Sequence, residues 1–219
     1  NKDDLILTLG AGNDTITLGA TTIGAGTIDG GADTDTISIA AAAAVTASGN
    51  TTFAGKVTNF EQLILTGATG VQSVDAAKLG NYNYVQVANA AAASETTVSG
   101  LTSGATIAIK ESANSNISND KVIAVIKDAA TNTADVLNIA ISATGENGTT
   151  DENGIVNAAN VETINISVND ASVVQTPTDT KADKQALTLQ ATKATTINIT
   201  GNTALNLTNT GNIAATLID

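Results

Sequence analysis

Two aspartates in matching glycine-rich turns, Asp14 and Asp35, are the residues whose types and spacing most clearly indicate chemistry. Residues 10–17 read Gly-Ala-Gly-Asn-Asp-Thr-Ile-Thr, and residues 30–38 read Gly-Gly-Ala-Asp-Thr-Asp-Thr-Ile-Ser. Both follow the nonapeptide pattern G-G-x-G-x-D-x-U-x, in which U is a large aliphatic residue, with a substitution or two in each. The turn offers backbone carbonyls and the aspartate a carboxylate, and Ca²⁺ takes about six to eight such oxygen ligands. The sequence therefore predicts calcium sites at these turns.

Further candidate ligands lie beside this pair. The glycines of the turns would supply positive-φ backbone and carbonyl oxygens: they are Gly10, Gly12, Gly30 and Gly31. Asp33 occupies a glycine position of the motif, and it either adds a carboxylate or only distorts the turn. Asp4 fits the Asp-x-U-x half of a preceding repeat, so it is a further candidate calcium ligand.

A second acidic segment, residues 145–154, carries Glu146, Asp151 and Glu152 among glycines and asparagines. It does not have the twelve-residue arrangement of an EF-hand. Two interpretations remain open for it, a calcium site between subunits and a solvated loop. The acids Asp128, Asp135, Asp170, Asp179 and Asp183 are scattered, and we expect them to be exposed.

The aliphatic centres of the first repeats would position the two aspartates. These centres are 10, 12 and 9 residues apart: they are Ile6, Ile16, Ile28 and Ile37. In a parallel β-roll, successive repeats alternate between two sides, so Asp14 and Asp35 should stack on one side at a strand spacing of about 4.8 Å. The intervening repeat has Gly26 in place of the aspartate, so the other side should hold a weaker site or none.

Beyond residue 40 the chain consists of short segments with the period-two alternation of half-buried strands. The predicted strands are centred on residues 63–65, 84–87, 106–109, 122–126, 136–141, 163–168, 187–189, 197–199 and 205–207. The run 40–44, all alanine, is either the start of a short helix or a small-residue strand. Outward Thr and Asn side chains near residues 187–213 are expected to form ladders between stacked strands.

An internal repeat also favours stacked coils. Residues 59–65 and 160–166 both read Asn, apolar, Glu, x, aliphatic, x, aliphatic, which suggests equivalent entry points: a turn residue, a core anchor, an outward carboxylate and a strand. We therefore predict an all-β parallel β-solenoid (a β-roll or β-helix) with calcium-binding glycine-rich turns at its N-terminal end. Residues 1–39 form those turns. Residues 40–219 continue the solenoid, as one run or as two segments that meet near 145–155 or 170–185.

Composition excludes several classes of function. The 219 residues include no His, Arg or Cys, which excludes a His general base, thiolate chemistry and the usual zinc sites. The net charge of −12 argues against nucleic-acid binding, and no apolar stretch is long enough to enter a membrane. Aromatic residues are 2% of the chain, so no acid has the ring-rich setting of a sugar-cleaving site. We expect no enzymatic activity.

The glycine-rich turns, which cover residues 4–38, resemble those of the RTX (repeats-in-toxin) family. The Thr- and Asn-rich tail, residues 187–213, is similar to the C-terminal region of RTX-type surface-layer proteins of the Caulobacter kind, and the Asn, Lys and Ile content is typical of Campylobacter-like surface arrays. The likeness extends loosely over residues 57–213.

The resemblance implies a long solenoid with bound Ca²⁺, exported by type I secretion and assembled laterally with copies of itself on the bacterial cell surface. Lipopolysaccharide would be bound only through regions not evident in this chain. Two alternatives remain open: a repeat module of a large RTX adhesin that binds ice or a host surface, and a non-catalytic RTX module of a secreted enzyme.

Overall fold

The computed structural model describes residues 5–19, 25–88, 93–110, 119–143, 150–170, 184–210 and 216–218. Apart from one α-helix and one short 3-10 helix (Ala76–Lys78), the regular elements of these ranges are strands. In chain order they are β1 Ile6–Thr8, β2 Thr15–Leu18, β3 Thr27–Asp29, β4 Thr36–Ala40, α1 Ala41–Ser48, β5 Val57–Thr58, β6 Gln62–Thr66, β7 Val71–Asp75, β8 Tyr84–Ala88, β9 Glu95–Leu101, β10 Thr106–Lys110, β11 Lys121–Ile126, β12 Val136–Ala143, β13 Thr150–Asn157, β14 Thr163–Asp170, β15 Lys184–Gln190, β16 Thr196–Gly201, β17 Ala204–Asn209 and β18 Thr216–Ile218.

The strands alternate between two sides of a stack, and all pairing is parallel. The even-numbered strands form one nine-stranded sheet in the order β18-β16-β14-β12-β10-β8-β6-β4-β2. The odd-numbered strands form a three-stranded sheet, β1-β3-β5, and a six-stranded sheet, β17-β15-β13-β11-β9-β7. Each coil therefore adds one strand to each side. The predicted parallel β-solenoid is confirmed, and all nine strands predicted beyond residue 40 are present.

The coils differ in length although their strands keep register. Thr15 pairs with Thr36, an offset of 21 residues, whereas Thr163 pairs with Thr196, an offset of 33. Much of the additional length lies in the strands themselves, since β2 and β3 have four and three residues, whereas β14 and β15 have eight and seven. Strand pairing runs from β12 to β14 and from β13 to β15, and so continues past both places proposed for a break.

The core is a column of aliphatic side chains that point inward from the nine-stranded sheet. Residues in register along it are Ile16, Ile37, Leu63, Val85, Ile107, Ile139, Ile166 and Ile199. The six central members are at most 1% exposed, and the two end members are half-buried. Burial of each such side chain stabilises the fold by about 1.5–3 kcal/mol. The stack thus forms a core with few aromatic rings.

Helix α1 fills an interruption on the odd-numbered side. Its alanines Ala41, Ala44 and Ala47 are fully buried, and the helix packs against β7 and β4. Within the described residues, β5 and β7 do not pair, so the helix lies beside the gap between the two odd-numbered sheets. Alanine has the highest helix propensity, which explains why the alanine run forms a helix rather than a strand here.

Asparagine ladders stabilise the outer face of the nine-stranded sheet. The Asn198 side-chain amide donates to Asn165 Oδ1 at 2.8 Å, and that of Asn165 donates to Asn138 Oδ1 at 2.9 Å. Asn138 in turn donates to the Gly104 carbonyl at 2.7 Å. The predicted ladder is confirmed at Asn198. It extends from there toward the N-terminus, because β12, β14 and β16 align their asparagines in register.

Candidate functional site

Three carboxylates stack at one edge of the nine-stranded sheet, immediately before β2, β4 and β6. They belong to Asp14, Asp35 and Glu61. The Asp14 N–H donates to Asp35 Oδ1 at 2.7 Å, and the Asp35 N–H donates to Glu61 Oε2 at 2.9 Å. The predicted stacking of Asp14 on Asp35 is confirmed, with the intervening strand β3 on the other side. Sequence reasoning did not include Glu61 in this site, although its place in the Asn-apolar-Glu repeat marks it.

Burial makes Asp35 the central residue of this stack. Its side chain is 0% exposed, and Oδ2 is buried without a hydrogen-bond partner. A Cβ placed on Gly30 would lie 2.9 Å from this oxygen and 2.0 Å from the Asn59 carbonyl oxygen, so only glycine fits beside it. Buried polar atoms without a partner are rare in folded proteins, and a buried charge requires compensation. The orphaned oxygen fits a cation ligand.

The glycine turns hold the left-handed conformations that the motif predicts at three of four positions. The φ angles are +101° at Gly10, +106° at Gly12 and +105° at Gly31. Gly30 was predicted to have a positive φ and does not; it is glycine because of the close backbone approach of Asn59. Asp33 adopts a φ of +79°, like the glycine it replaces.

Several polar side chains of the turns already have partners within the fold. Asp33 Oδ2 accepts the Gly12 N–H at 3.0 Å, and Asn13 Oδ1 accepts the Thr34 N–H at 3.1 Å. Asp29 was not predicted to contribute, yet its Oδ1 accepts the Gly31 N–H at 3.0 Å. These bonds join neighbouring coils or close a turn, so the polar residues of the turns also have a structural role.

A second stack joins Asp135 and Glu162, which immediately precede β12 and β14. The Asp135 N–H donates to Glu162 Oε2 at 2.9 Å. The expectation that Asp135 is exposed was wrong: it is 2% exposed, because the next coil covers it, whereas Asp128 is exposed as expected. Its Oδ2 is also buried without a partner.

The internal repeat at residues 59–65 and 160–166 corresponds to these two stacks. The predicted core anchors, Phe60 and Val161, are 4% and 1% exposed, so that part is confirmed. The prediction that Glu61 and Glu162 point outward was wrong. Each is half-buried and accepts a backbone N–H from the preceding coil. The repeat therefore marks a glutamate whose carboxylate accepts a backbone N–H from the preceding coil.

The six-stranded sheet has a similar feature at Asp120, which precedes β11. Asp120 Oδ1 accepts the Ser94 N–H at 2.9 Å, and its Oδ2 is buried without a partner. Gly154, with a φ of +72°, follows in the next coil. This fold therefore repeatedly places an acidic residue immediately before a strand, where its carboxylate accepts a backbone N–H from the preceding coil.

Among the remaining predicted ligands, those that the structure describes are not gathered into a site. Asp4 and Glu146 lie outside the described residues, and so do Asp179 and Asp183. Asp151 and Glu152 belong to strand β13, not to a loop, and Asp151 Oδ2 accepts the Gln185 side-chain amide at 3.0 Å. Within the residues that the structure describes, no three His, Cys, Asp or Glu side chains cluster so as to hold a metal ion. A cation at either stack would therefore also need backbone or hydroxyl oxygens, or water.

An open cleft of about 550 Å³ borders the Glu61 end of the first stack. Strand β5 lines it, and Asn59, Asn81 and Asn83 also contribute to its wall. Tyr82 also lines it, and burial raises the pKa of the Tyr82 hydroxyl above its ordinary value. The cleft offers amide and carboxylate groups to solvent at the end of the stack.

Comparison with known proteins adds no assignment. No known protein family matches this sequence, and no curated protein matches it either. None of the helices in the described ranges is long and apolar enough to cross a membrane. The stacked carboxylates and the outer surfaces of the sheets are therefore the features that bear on function.

Proposed function

We propose that this chain is a structural segment of a bacterial surface layer, in which calcium orders a β-solenoid that assembles laterally with copies of itself outside the cell. The observation that carries the proposal is the outer face of the nine-stranded sheet. From β2 to β16, its described side chains include one charged group, Lys110, and no carboxylate. One row across this face reads Thr15, Thr36, Gln62, Tyr84, Thr106, Asn138, Asn165 and Asn198.

The electrostatics favour contact between copies over this face. The chain carries a net charge of −12, so two copies repel one another at long range. The outer face of the six-stranded sheet carries Asp75, Glu95 and Lys121, whereas the outer face of the nine-stranded sheet presents hydroxyl and amide groups. Copies that meet through this face, which carries no described carboxylate, avoid burying negative charges against one another, which suits a repeating sheet of identical subunits.

The first carboxylate stack supports the role of calcium. Asp14, Asp35 and Glu61 lie on adjacent strands, so their negative charges repel one another until a cation binds. Ca²⁺ would be held by Asp35 Oδ2 with carbonyl oxygens of the glycine turns. At low calcium the turns stay loose, and millimolar calcium outside the cell orders them, which couples metal binding to folding.

Regular threonine rows of the kind that an ice-binding surface requires are not sustained on this face. Thr15 and Thr17 lie beside Thr36 and Ser38, but the next strand has Gln62 and Ile64 at those positions. The surface-layer proposal is therefore preferred to an ice-binding adhesin.

We expect calcium to raise the free energy of unfolding by about 2–3 kcal/mol when it is present at about a hundredfold its dissociation constant. Asp35→Asn should lose most of this gain, because it removes the buried charge that the cation compensates. Thermal unfolding followed by circular dichroism, with calcium and with chelator, measures the effect. Asp128→Asn, at an exposed aspartate, is the matched control and should behave like the unmodified chain. An unchanged unfolding temperature after chelation would contradict the calcium role.

We expect Gln86→Glu to weaken assembly, because it places a carboxylate on the outer face of the nine-stranded sheet with almost no change in shape. A carboxylate buried without a partner in each contact costs at least about 1.4 kcal/mol, or about tenfold in the concentration needed to form sheets. Gln190→Glu adds the same charge on the six-stranded sheet and keeps the acceptor for the Asn157 amide, so it is the control. Electron microscopy of the protein in calcium measures the concentration at which each variant forms sheets. Monomers of the unmodified chain at every concentration would instead favour a module of an adhesin or secreted enzyme.

A further inference from the structure

We propose that Asp135 and Glu162 form a second divalent-cation site, separate from the glycine turns and independent of lattice assembly. The site lies where β12 and β14 begin, in coils far along the stack from Asp14 and Asp35. Its ligand is a hard, oxygen-preferring cation, for which Ca²⁺ is the first choice.

The backbone around the two carboxylates is fully connected. The Thr163 N–H donates to the Asp135 carbonyl at 3.0 Å, and the Thr195 and Thr196 N–H groups donate to the Glu162 carbonyl at 2.8 and 3.1 Å. The Asp135 N–H donates to Glu162 Oε2 at 2.9 Å. The backbone of both residues and the Glu162 side chain are thus fixed to the sheet edge, which is the setting in which a metal site keeps its geometry.

The atom that points to a ligand is Asp135 Oδ2. The residue is 2% exposed, and this oxygen is buried with no hydrogen-bond partner. The ion pairs of Lys78 with Asp75 and of Lys121 with Glu95 do not involve it. A buried carboxylate without a counter-charge is costly, and a bound cation offsets that cost. A solvated surface acid would show no such orphaned oxygen.

The neighbouring groups also favour oxygen ligation. Ser103 lies beside the start of β12, where its Oγ accepts the Val136 N–H at 2.9 Å, and the Thr195 hydroxyl contacts the Glu162 carbonyl at 3.4 Å. Carboxylate, carbonyl and hydroxyl oxygens suit Ca²⁺ or Mg²⁺, while zinc prefers the His and Cys that this chain lacks. The irregular donor set fits the flexible coordination of Ca²⁺ better than the octahedron that Mg²⁺ demands.

The same arrangement occurs at Asp35 and Glu61, which supports a shared role. In both stacks an aspartate N–H donates to a glutamate Oε2 at 2.9 Å, and in both the aspartate Oδ2 is buried and unpartnered. The turns differ, because residues 131–134 and 159–161 contain no glycine. The nonapeptide motif therefore does not mark this second site, and the carboxylate stack does.

The test is a calcium titration of the full chain by isothermal calorimetry, with Mg²⁺ as a comparison cation. We expect Asp135→Asn to remove one class of sites or to weaken it at least tenfold, and Asp35→Asn to remove a different one. Glu162→Gln is the second variant, since its amide oxygen still accepts the Asp135 N–H. Asp128→Asn is the control, because Asp128 is exposed and its φ of +61° suits asparagine equally.

Thermal unfolding distinguishes a metal site from carboxylates that only accept hydrogen bonds from backbone N–H groups. In chelator, Asp135→Asn should unfold at the same temperature as the unmodified chain or at a higher one, because a buried charge is gone. With calcium, the order should reverse. The proposal would be overturned if Asp135→Asn lowered the unfolding temperature equally in chelator and in calcium. It would also be overturned if this variant kept the number and affinity of the calcium sites unchanged. Loss of binding in Asp135→Asn with none in Asp35→Asn would sustain this site and refute the one at the glycine turns.

Discussion

Gly31→Ala is expected to lower the free energy of unfolding by about 2–5 kcal/mol, whereas Gly10→Ala lowers it by about 1–2 kcal/mol. Both glycines have a left-handed backbone, with φ of +105° and +101°, so the conformational cost of a Cβ is the same. They differ in surroundings. A Cβ on Gly31 would lie 1.9 Å from the Gly10 carbonyl oxygen, while one on Gly10 meets no atom within 4 Å.

Urea unfolding of the two variants measures this difference. The clash at Gly31 is with backbone, so no side-chain rotation relieves it, and the two coils must separate. We also expect Gly31→Ala to weaken calcium binding, because the turn that it distorts leads into Asp33 and Asp35. Equal destabilisation by the two substitutions would show that the first coil does not stack on the second.

Asn165→Asp is expected to cost about 2–4 kcal/mol, because it breaks the middle rung of the asparagine ladder. Asn165 donates to Asn138 Oδ1 and accepts from Asn198. An aspartate at position 165 can still accept the hydrogen bond from Asn198, but it loses the amide that donates to Asn138. Its second carboxylate oxygen then faces Asn138 Oδ1, and two acceptors repel each other in a half-buried place.

Asn169→Asp is the matched control for the ladder, since Asn169 is exposed on the same strand and the change in net charge is identical. We expect it to alter the free energy of unfolding by less than about 0.5 kcal/mol. Chemical denaturation at moderate salt compares the two variants while screening long-range charge effects. A control as damaging as Asn165→Asp would mean that net charge, not the ladder, limits stability.

Local patterns in the sequence were sufficient for most of the architecture. The period-two alternation of segments such as 136–141 predicts strands, because one face of a solenoid strand is always buried. The spacing of the two glycine turns placed Asp14 over Asp35, since a coil made of two short repeats returns the chain to the same side. Strands β5, β7, β9, β13 and β18 were missed. Strand β5 has only two residues, and β9 offers few inward aliphatics, namely Val98 and Leu101, with Thr96 buried as well.

The location of buried charge was not predictable in the same way. Asp128 and Asp135 are seven residues apart and look alike in sequence, yet the first is exposed and the second is 2% exposed. The difference arises from Glu162, which is 27 residues further on and covers Asp135 once the coils stack.

The sequence by itself determined most of the strands, the glycine turns and the stacking of Asp14 on Asp35, because these depend on alternation and backbone freedom within short repeats. Only the tertiary structure decided which carboxylates meet, which oxygens stay without partners, and which sheet face carries no described carboxylate. Those properties depend on register between strands separated by 20 to 34 residues, with coils of unequal length between them. The nonapeptide motif predicts the stacking of Asp14 on Asp35, whereas no motif predicts the contact between Asp135 and Glu162, which forms only when the coils stack.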